Sequence, residues 1–240
     1  MQKIFAANWK LFKSPAETRQ FFKNFKEVVS KSTGEVVFFP PAICLEAASE
    51  SVKGTNIAFG VQNCYAQVQG AFTGENSAQT AKELGAKYIL IGHSERRQIF
   101  GETDAAIADK VALTQSLGLT PLLCIGETLA ERESTHTYRI LETQLELGLA
   151  KADKTKPVVI AYEPVWAIGT GKVATPEQVA ETHTDVQTIL TKLGFKAPIL
   201  YGGSVKADNA AGLIKQPHVG GFLVGGASLE VDSFIKIASV

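Results

Sequence analysis

The sequence has no excess of charge of either sign, because 24 Lys and Arg residues balance 24 Asp and Glu residues among 240. Proteins that bind nucleic acid need a basic surplus for the phosphate backbone, so nucleic acid is excluded as the main partner. No apolar run approaches the roughly 18 residues of a membrane-spanning helix, which predicts no association with a membrane. The opening stretch MQKIFAANWK has too short an apolar run for a signal peptide.

The sequence is also poor in cysteine. Its three cysteines, Cys44, Cys64 and Cys124, have neither C-x-x-C nor metal-ligand spacing. Their odd number and apolar surroundings favour buried, reduced thiols over a disulfide framework. We therefore expect a protein of the reducing cytoplasm, with no metal site.

Eight short apolar runs are present: KIFAA, EVVFF, NIAFG, KYILI, TPLLCI, PVVIAY, APILY and GGFLV. Their continuous hydrophobicity is typical of strands covered on both faces, as in parallel sheets. Amphipathic stretches with helix-start and helix-stop residues separate most of them, as at Ser14–Pro15, Thr175–Pro176 and Gly194. Strand–helix repetition fits an open doubly wound sheet or a closed barrel, and the count and length favour a (β/α)₈ barrel. No linker divides the chain, so we expect one domain, residues 1–240.

Polar residues and glycines follow several of these predicted strands. In a parallel barrel, the carboxyl ends of all strands meet at one mouth, so residues that are scattered along the sequence converge there. The residues concerned are Asn8 and Lys10 after the first strand, His93 and Glu95 after the fourth, Glu163 after the sixth, Gly202–Ser204 after the seventh, and Gly225 and Gly226 after the eighth.

Glu163 could be an ordinary helix-capping or salt-bridging acid. The next predicted helix starts only near Thr175, which argues against a capping role. Its neighbours Tyr162, Pro164 and Trp166 predict partial desolvation, which raises the pKa of a carboxyl group and makes it a better base. We favour a catalytic role.

His93 and Lys10 also have ordinary interpretations. A lone histidine is usually a satisfied core residue, but in GHSERR the chain turns helical after His93. A helix N-terminus disfavours imidazolium, so a neutral ring could donate a proton to a substrate oxygen. Lys10 would usually be a solvated cation, yet its place just beyond a barrel strand predicts that it faces an anion in the mouth.

The glycines form two groups. Gly169 and Gly171 flank Thr170 in the loop after Glu163, while two Gly-Gly pairs follow the seventh and eighth strands. One such pair is weak evidence for a ligand site, because Gly-Gly pairs are common in tight turns. Two pairs on adjacent strands predict a phosphate site built from backbone N–H groups, at the place where barrels commonly form one.

These motifs resemble the triosephosphate isomerase family over the whole chain: NWK at 8–10, GHSERR at 92–97, AYEPVWAIGTG at 161–171, YGGSV at 201–205 and LVGGASL at 223–229. The resemblance implies a cofactor-free interconversion of dihydroxyacetone phosphate and D-glyceraldehyde 3-phosphate. It implies that Glu163 is the base, that His93 is a neutral electrophile, and that Lys10 and Asn8 stabilise the enediolate. Glu95 would orient Lys10.

The resemblance also implies the surroundings of these residues. The phosphate would be held by Asn8, Lys10, Gly169, Ser204, Gly225 and Gly226. A mobile lid would comprise Pro164, Val165, Trp166, Ala167, Ile168, Gly169, Thr170, Gly171 and Lys172, latched by Tyr201 and Ser204. A homodimer would form through Thr73 and Glu75, although Phe12 departs from the smaller or polar residue usual at its position.

Two other interpretations differ in class. A phosphate-binding lyase or epimerase would explain the Gly-Gly pairs, but it would not explain the lid or the His–Glu pairing. A non-enzymatic barrel would tolerate replacement of Lys10, His93 or Glu163, and all three are present. An assay with either triose phosphate separates these alternatives.

Overall fold

The computed structural model describes residues 2–169 and 172–240 of the chain. Eight parallel strands pair in sequence order, and the first also pairs with the last, so the sheet closes into a barrel. The strands are β1 Ile4–Asn8, β2 Glu35–Phe39, β3 Ala58–Val61, β4 Tyr88–Ile91, β5 Thr120–Ile125, β6 Val159–Tyr162, β7 Ile199–Tyr201 and β8 Val219–Val224. Each strand overlaps one of the eight apolar runs, and the closure of the sheet confirms the predicted barrel.

Helices surround the barrel. Within the described ranges they are α1 Pro15–Phe25, α2 Leu45–Val52, α3 Ala78–Glu83, α4 Ser94–Gln98, α5 Asp104–Ser116, α6 Leu129–Glu133, α7 Thr137–Gly148, α8 Pro176–Leu193, α9 Ala210–Leu213 and α10 Val231–Ala238. Short 3₁₀ turns lie at Val29–Lys31, Ala42–Cys44, Val165–Ala167 and Gly226–Ser228. None of the helices described is long and apolar enough to cross a bilayer.

Local sequence signals explain where the helices begin and end. Ser14 caps α1 in a reciprocal capping box with Glu17, and Thr175 does the same for α8 with Gln178. These side chains satisfy N–H groups that have no partner in the first helical turn. Gly194 ends α8 in the left-handed conformation with φ of 80°, which a residue without a β-carbon adopts easily.

The alternation of side chains along each strand divides the core into two layers. In β1, Ile4 and Ala6 point into the barrel, while Phe5 and Ala7 pack against the outer helices. The three cysteines are buried and free, as the sequence predicts. Because both layers are filled with apolar side chains, polar groups at the strand ends are left to line the mouth of the barrel.

Candidate active site

A cavity of about 320 Å³ opens at the carboxyl ends of the strands. Its lining brings together eight predicted site residues, which are Asn8, Lys10, His93, Glu163, Gly169, Ser204, Gly225 and Gly226. They lie at or after the ends of five different strands, β1, β4, β6, β7 and β8, and span almost the whole length of the chain, from Asn8 to Gly226. The convergence that the sequence predicts is therefore present.

Glu163 is the most enclosed acid of this cavity, with 2% of its surface exposed. Its Oε1 lies 3.0 Å from His93 Nε2, and its Oε2 accepts the backbone N–H of Ser94 at 3.0 Å. Burial alone raises the pKa of Glu163, but His93, the Ser94 N–H and the Cys124 thiol outweigh burial and lower it. The predicted rise is wrong for this state, because the sequence does not reveal that the carboxylate contacts these donors.

His93 precedes α4 and caps its first turn: the backbone N–H of Glu95 donates to Nδ1 at 3.2 Å. This bond places the proton of a neutral ring on Nε2, which then donates to Glu163. Burial lowers the pKa of His93, but the negative charge of Glu163, its hydrogen bond and the charge of Glu95 outweigh burial and raise it. The rise thus depends on Glu163 remaining in contact.

Lys10 enters the cavity from the end of β1. Its Nζ lies 2.6 Å from Glu95 Oε1, as the resemblance implies, and its side chain is 25% exposed. Its backbone has φ of 50°, a left-handed conformation that a residue with a β-carbon rarely adopts. The Lys10 N–H donates to Asn8 Oδ1 at 3.0 Å, so the two residues form one local unit.

Glycines make room on the opposite side of the cavity. A β-carbon at Gly202 would lie 2.8 Å from Glu163 Cγ, which is closer than real β-carbon contacts allow. A β-carbon at Gly225 would lie 3.5 Å from Lys10 Cε, and one at Gly226 would meet no atom within 4 Å. Gly202 therefore leaves room for the Glu163 side chain, whereas Gly225 and Gly226 leave the cavity wall open.

Comparison with known proteins identifies the family. The family model described as triosephosphate isomerase matches residues 3–240. The chain is 79% identical to the triosephosphate isomerase of Bdellovibrio bacteriovorus, with all of both chains covered. It is 46% identical to that of Solibacter usitatus, with 98% of each covered, and 43% identical to that of Aquifex aeolicus, with 99% of this chain and 98% of the other covered. The chain belongs to the triosephosphate isomerase family.

The first part of the segment expected to form the lid in a triosephosphate isomerase is fixed to the barrel. After Pro164, residues Val165–Ala167 form a 3₁₀ turn. Trp166 donates its indole N–H to Glu127 Oε1 at 2.9 Å, and that oxygen also accepts from Tyr162 at 3.1 Å and Arg132 at 3.0 Å. Ile168 and Gly169 then reach the cavity. Thr170 and Gly171 lie outside the described residues.

One of the two expected latch residues touches this segment. Ser204 Oγ donates to Ala167 O at 2.8 Å and lies 3.4 Å from Lys172 O. The Tyr201 hydroxyl is buried and makes no hydrogen bond of standard geometry to the described residues, although the backbone N–H of Ala174 lies near it. Burial raises the pKa of Tyr201 to about 12, so the hydroxyl keeps its proton at neutral pH.

Thr73 and Glu75 lie on an exposed loop between β3 and α3, and neither lines the cavity. A groove of about 580 Å³ runs beside them and is lined by Glu75, Lys10 and Glu95 among others. Large apolar side chains are exposed near it, namely Leu11, Phe12, Ile43, Ile99 and Phe100. Several large exposed apolar side chains around one groove are typical of a protein interface.

Three site residues are missing from the residues predicted as functional: Glu127, Cys124 and Gln62. Glu127 and Gln62 follow β5 and β3, so the reasoning that selected Glu163 could have found both. No sequence pattern reveals that Cys124 contacts Glu163 and lowers its pKa. The sequence predicts Gly202 only as part of a phosphate-binding Gly-Gly pair and does not reveal its close approach to Glu163.

Proposed function

We propose that this chain interconverts dihydroxyacetone phosphate and D-glyceraldehyde 3-phosphate through an enediolate. The observation that supports this most directly is the shared cavity. A carboxylate, an imidazole and an ammonium group line it together with the glycines proposed to bind phosphate. Triosephosphate isomerase is itself the standard illustration of a glutamate base paired with a neutral histidine.

Glu163 would move a proton between the two substrate carbons. In the unliganded protein, the pKa of Glu163 is lowered by contacts with His93 and the Ser94 N–H, against the opposing influence of burial. When the Nε2 proton of His93 donates to a substrate oxygen instead, Glu163 loses its contact with His93. Burial is then less opposed, the pKa of Glu163 rises, and the carboxylate becomes a stronger base.

His93, Asn8 and Lys10 would stabilise the oxygens of the enediolate. The Nε2 proton of His93 is positioned to donate because Nδ1 already accepts the Glu95 N–H. When Glu163 moves away, His93 loses the negative charge and the hydrogen bond that raise its pKa most, and burial then favours the neutral ring. Lys10 supplies the positive charge that attracts both phosphate and enediolate, while Glu95 holds its Nζ.

The lid would close over the phosphate bound at Gly169, Ser204, Gly225 and Gly226. An enediolate beside a phosphate ester can expel phosphate, so excluding water and fixing the intermediate protects the reaction. Trp166, held by Glu127, would be the fixed end of this movement. On closure Ser204 would give up its present hydrogen bond to the Ala167 carbonyl and bond the lid elsewhere. Phosphate binding energy would thereby assist chemistry at the other end of the substrate.

Substitution of the base tests this proposal. In Glu163→Gln we expect kcat to fall about 10²- to 10⁴-fold, with binding of a phosphate-bearing enediolate analogue largely kept. Lys10→Met should impair both binding and turnover, because the cation acts in both states. Glu17→Gln is a matched control, since it removes an exposed carboxylate of the α1 capping box. Near-parental turnover of Glu163→Gln would mean that another group is the base.

We also propose that the chain acts as a single-domain protomer of a cytoplasmic homodimer. The exposed apolar residues Leu11, Ile99 and Phe100 and the adjoining groove suit burial against a second copy. In such a dimer the loop carrying Thr73 and Glu75 would enter the partner beside Asn8 and Lys10. Buried free thiols suit a reducing compartment.

A further inference from the structure

Gln62 follows β3 and reaches across the ends of three strands. Its Nε2 lies 2.8 Å from Lys10 O, 2.9 Å from Phe39 O and 3.3 Å from Asn8 Oδ1. All three partners are acceptors, so the amide nitrogen must face them. Two N–H bonds are shared among three oxygens, at the ends of β1 and β2.

The residue that receives the shortest of these bonds has an unfavourable backbone conformation. Lys10 has φ of 50°, and such a conformation persists in a residue with a β-carbon only where neighbouring groups hold it. Gln62 holds the Lys10 carbonyl, and Asn8 holds the Lys10 N–H at 3.0 Å. The Lys10 peptide is thus fixed from both sides.

The Lys10 side chain depends on this backbone conformation. From it, Nζ meets Glu95 Oε1 at 2.6 Å and the side chain lines the cavity with His93 and Glu163. Rotation of the peptide at Lys10 would redirect the ammonium group, and a displacement of about 1 Å at a reacting group can lower a rate about 100-fold. Gln62 does not line this cavity; it lines the adjoining groove.

We propose that Gln62 is a positioning residue, which holds Lys10 and Asn8 in their reactive arrangement through one amide shared by three acceptors at the ends of β1 and β2. This inference rests on the proposed roles of Lys10 and Asn8. The amide acts on the reaction only through these two residues. Its removal therefore matters much less once the Lys10 side chain is gone, because only the longest of its contacts, that with Asn8 Oδ1 at 3.3 Å, then bears on the reaction.

A double-mutant cycle of Gln62→Met and Lys10→Met tests the inference. Methionine keeps the length and apolar volume of Gln62 and removes its donors. In the parent, we expect Gln62→Met to lower kcat/KM about 10- to 100-fold, with KM raised and kcat lowered, because Lys10 acts in binding and turnover. In Lys10→Met, the same change should lower kcat/KM less than about twofold, since residues acting as a unit are not additive.

Gln115→Met is the matched control. Gln115 is buried, whereas Gln62 is half-buried, and its amide likewise donates to two backbone oxygens, those of Asp153 at 3.3 Å and Pro157 at 3.2 Å. These contacts lie near the start of β6, at the end of the barrel opposite the cavity. The control should lose stability while kcat/KM stays within about twofold of the parent.

The outcomes separate the inference from the proposed function. Equal fold losses from Gln62→Met in both backgrounds would overturn the positioning role, as would a loss that tracks dimer dissociation in sedimentation at the assay concentration. Parental activity of Lys10→Met would instead overturn the proposed role of Lys10 itself. A loss confined to the background that contains Lys10, in a protein of unchanged sedimentation coefficient, supports the inference.

Discussion

His183 makes the stability of the barrel depend on pH in a direction opposite to that of a salt-bridged histidine. It lies in α8 with none of its surface exposed, between the rings of Tyr162 and Tyr201. Its Nδ1 lies 3.3 Å from the carbonyl oxygen of His218, and that oxygen can only accept, so Nδ1 carries the proton. Its Nε2 has no hydrogen-bond partner among the described residues.

Protonation of His183 would place a second N–H at Nε2 in this enclosure. The pKa of His183 is lowered to about 4, mainly by burial and to a smaller extent by the charge of His218, while the bond to the His218 carbonyl opposes the shift. In the unfolded chain the pKa returns to about 6.5. Between these values the unfolded state binds more protons, so stability is fully present above pH 6.5 and falls as the pH approaches 4.

The two pKa values give the size of the effect. They predict that this residue alone removes about 2 kcal/mol of unfolding free energy between pH 7 and pH 5, and about 3 kcal/mol by pH 4. His183→Asn keeps an N–H donor for the His218 carbonyl but has no group that titrates in this range. The variant should be less stable than the parent at pH 7, and the difference should shrink as the pH falls.

Urea unfolding followed by circular dichroism measures this at pH 7, 6 and 5, with the protomer concentration held constant because an oligomer unfolds in a concentration-dependent way. The decisive quantity is the difference between parent and variant at each pH, which cancels the titration of all other groups. A difference that stays constant from pH 7 to pH 5 would refute the reasoning. It would mean that His183 finds an acceptor when protonated.

Three further predictions concern the site and its assembly. Gly202→Ala should lower kcat about 100-fold, because its β-carbon would displace Glu163, and steady-state kinetics will measure it against the parent. Glu127→Gln should lower the unfolding free energy by about 2 kcal/mol and also lower kcat, since it removes the charge that holds Trp166 and Arg132; unchanged denaturation and turnover would contradict this. Dilution that produces monomers in analytical ultracentrifugation should depress specific activity, and a fully active monomer would exclude a role for the partner.

The strands and the long helices could be predicted from the sequence because their causes are local. An apolar run such as TPLLCI suits a strand buried on both faces wherever it lies, and Ser14 with Glu17 caps a helix through contacts three residues apart. The site residues were also predictable to a large extent, since barrel closure alone brings residues such as Asn8 and Glu163 to one mouth. In a closed parallel barrel, a residue that directly follows a strand in the sequence lies at the mouth of the barrel.

The direction of the Glu163 pKa shift and the role of Gln62 could not be predicted, because both depend on contacts between residues that follow different strands. The pKa of Glu163 is lowered because His93 and the backbone N–H of Ser94, the first residue of α4, contact the carboxylate. The apolar neighbours of Glu163 in the sequence indicate only burial, which is one influence among several. The same limit applies to Gln62, whose importance lies in three acceptors supplied by other strands.

The contact between Glu163 and His93 has a consequence for how the pH dependence of the reaction should be interpreted. In the free protein the two groups share one hydrogen bond of 3.0 Å and shift each other's pKa in opposite directions. Two groups coupled this closely titrate as a pair, so the pH profile of kcat/KM reports the pair rather than either residue. Under the mechanism we propose, the profile of kcat would report the complex, with the substrate between the two groups. In that mechanism Glu163 would be a weak base while it contacts His93 and a stronger one once the substrate separates them, which would confine proton abstraction to the occupied site.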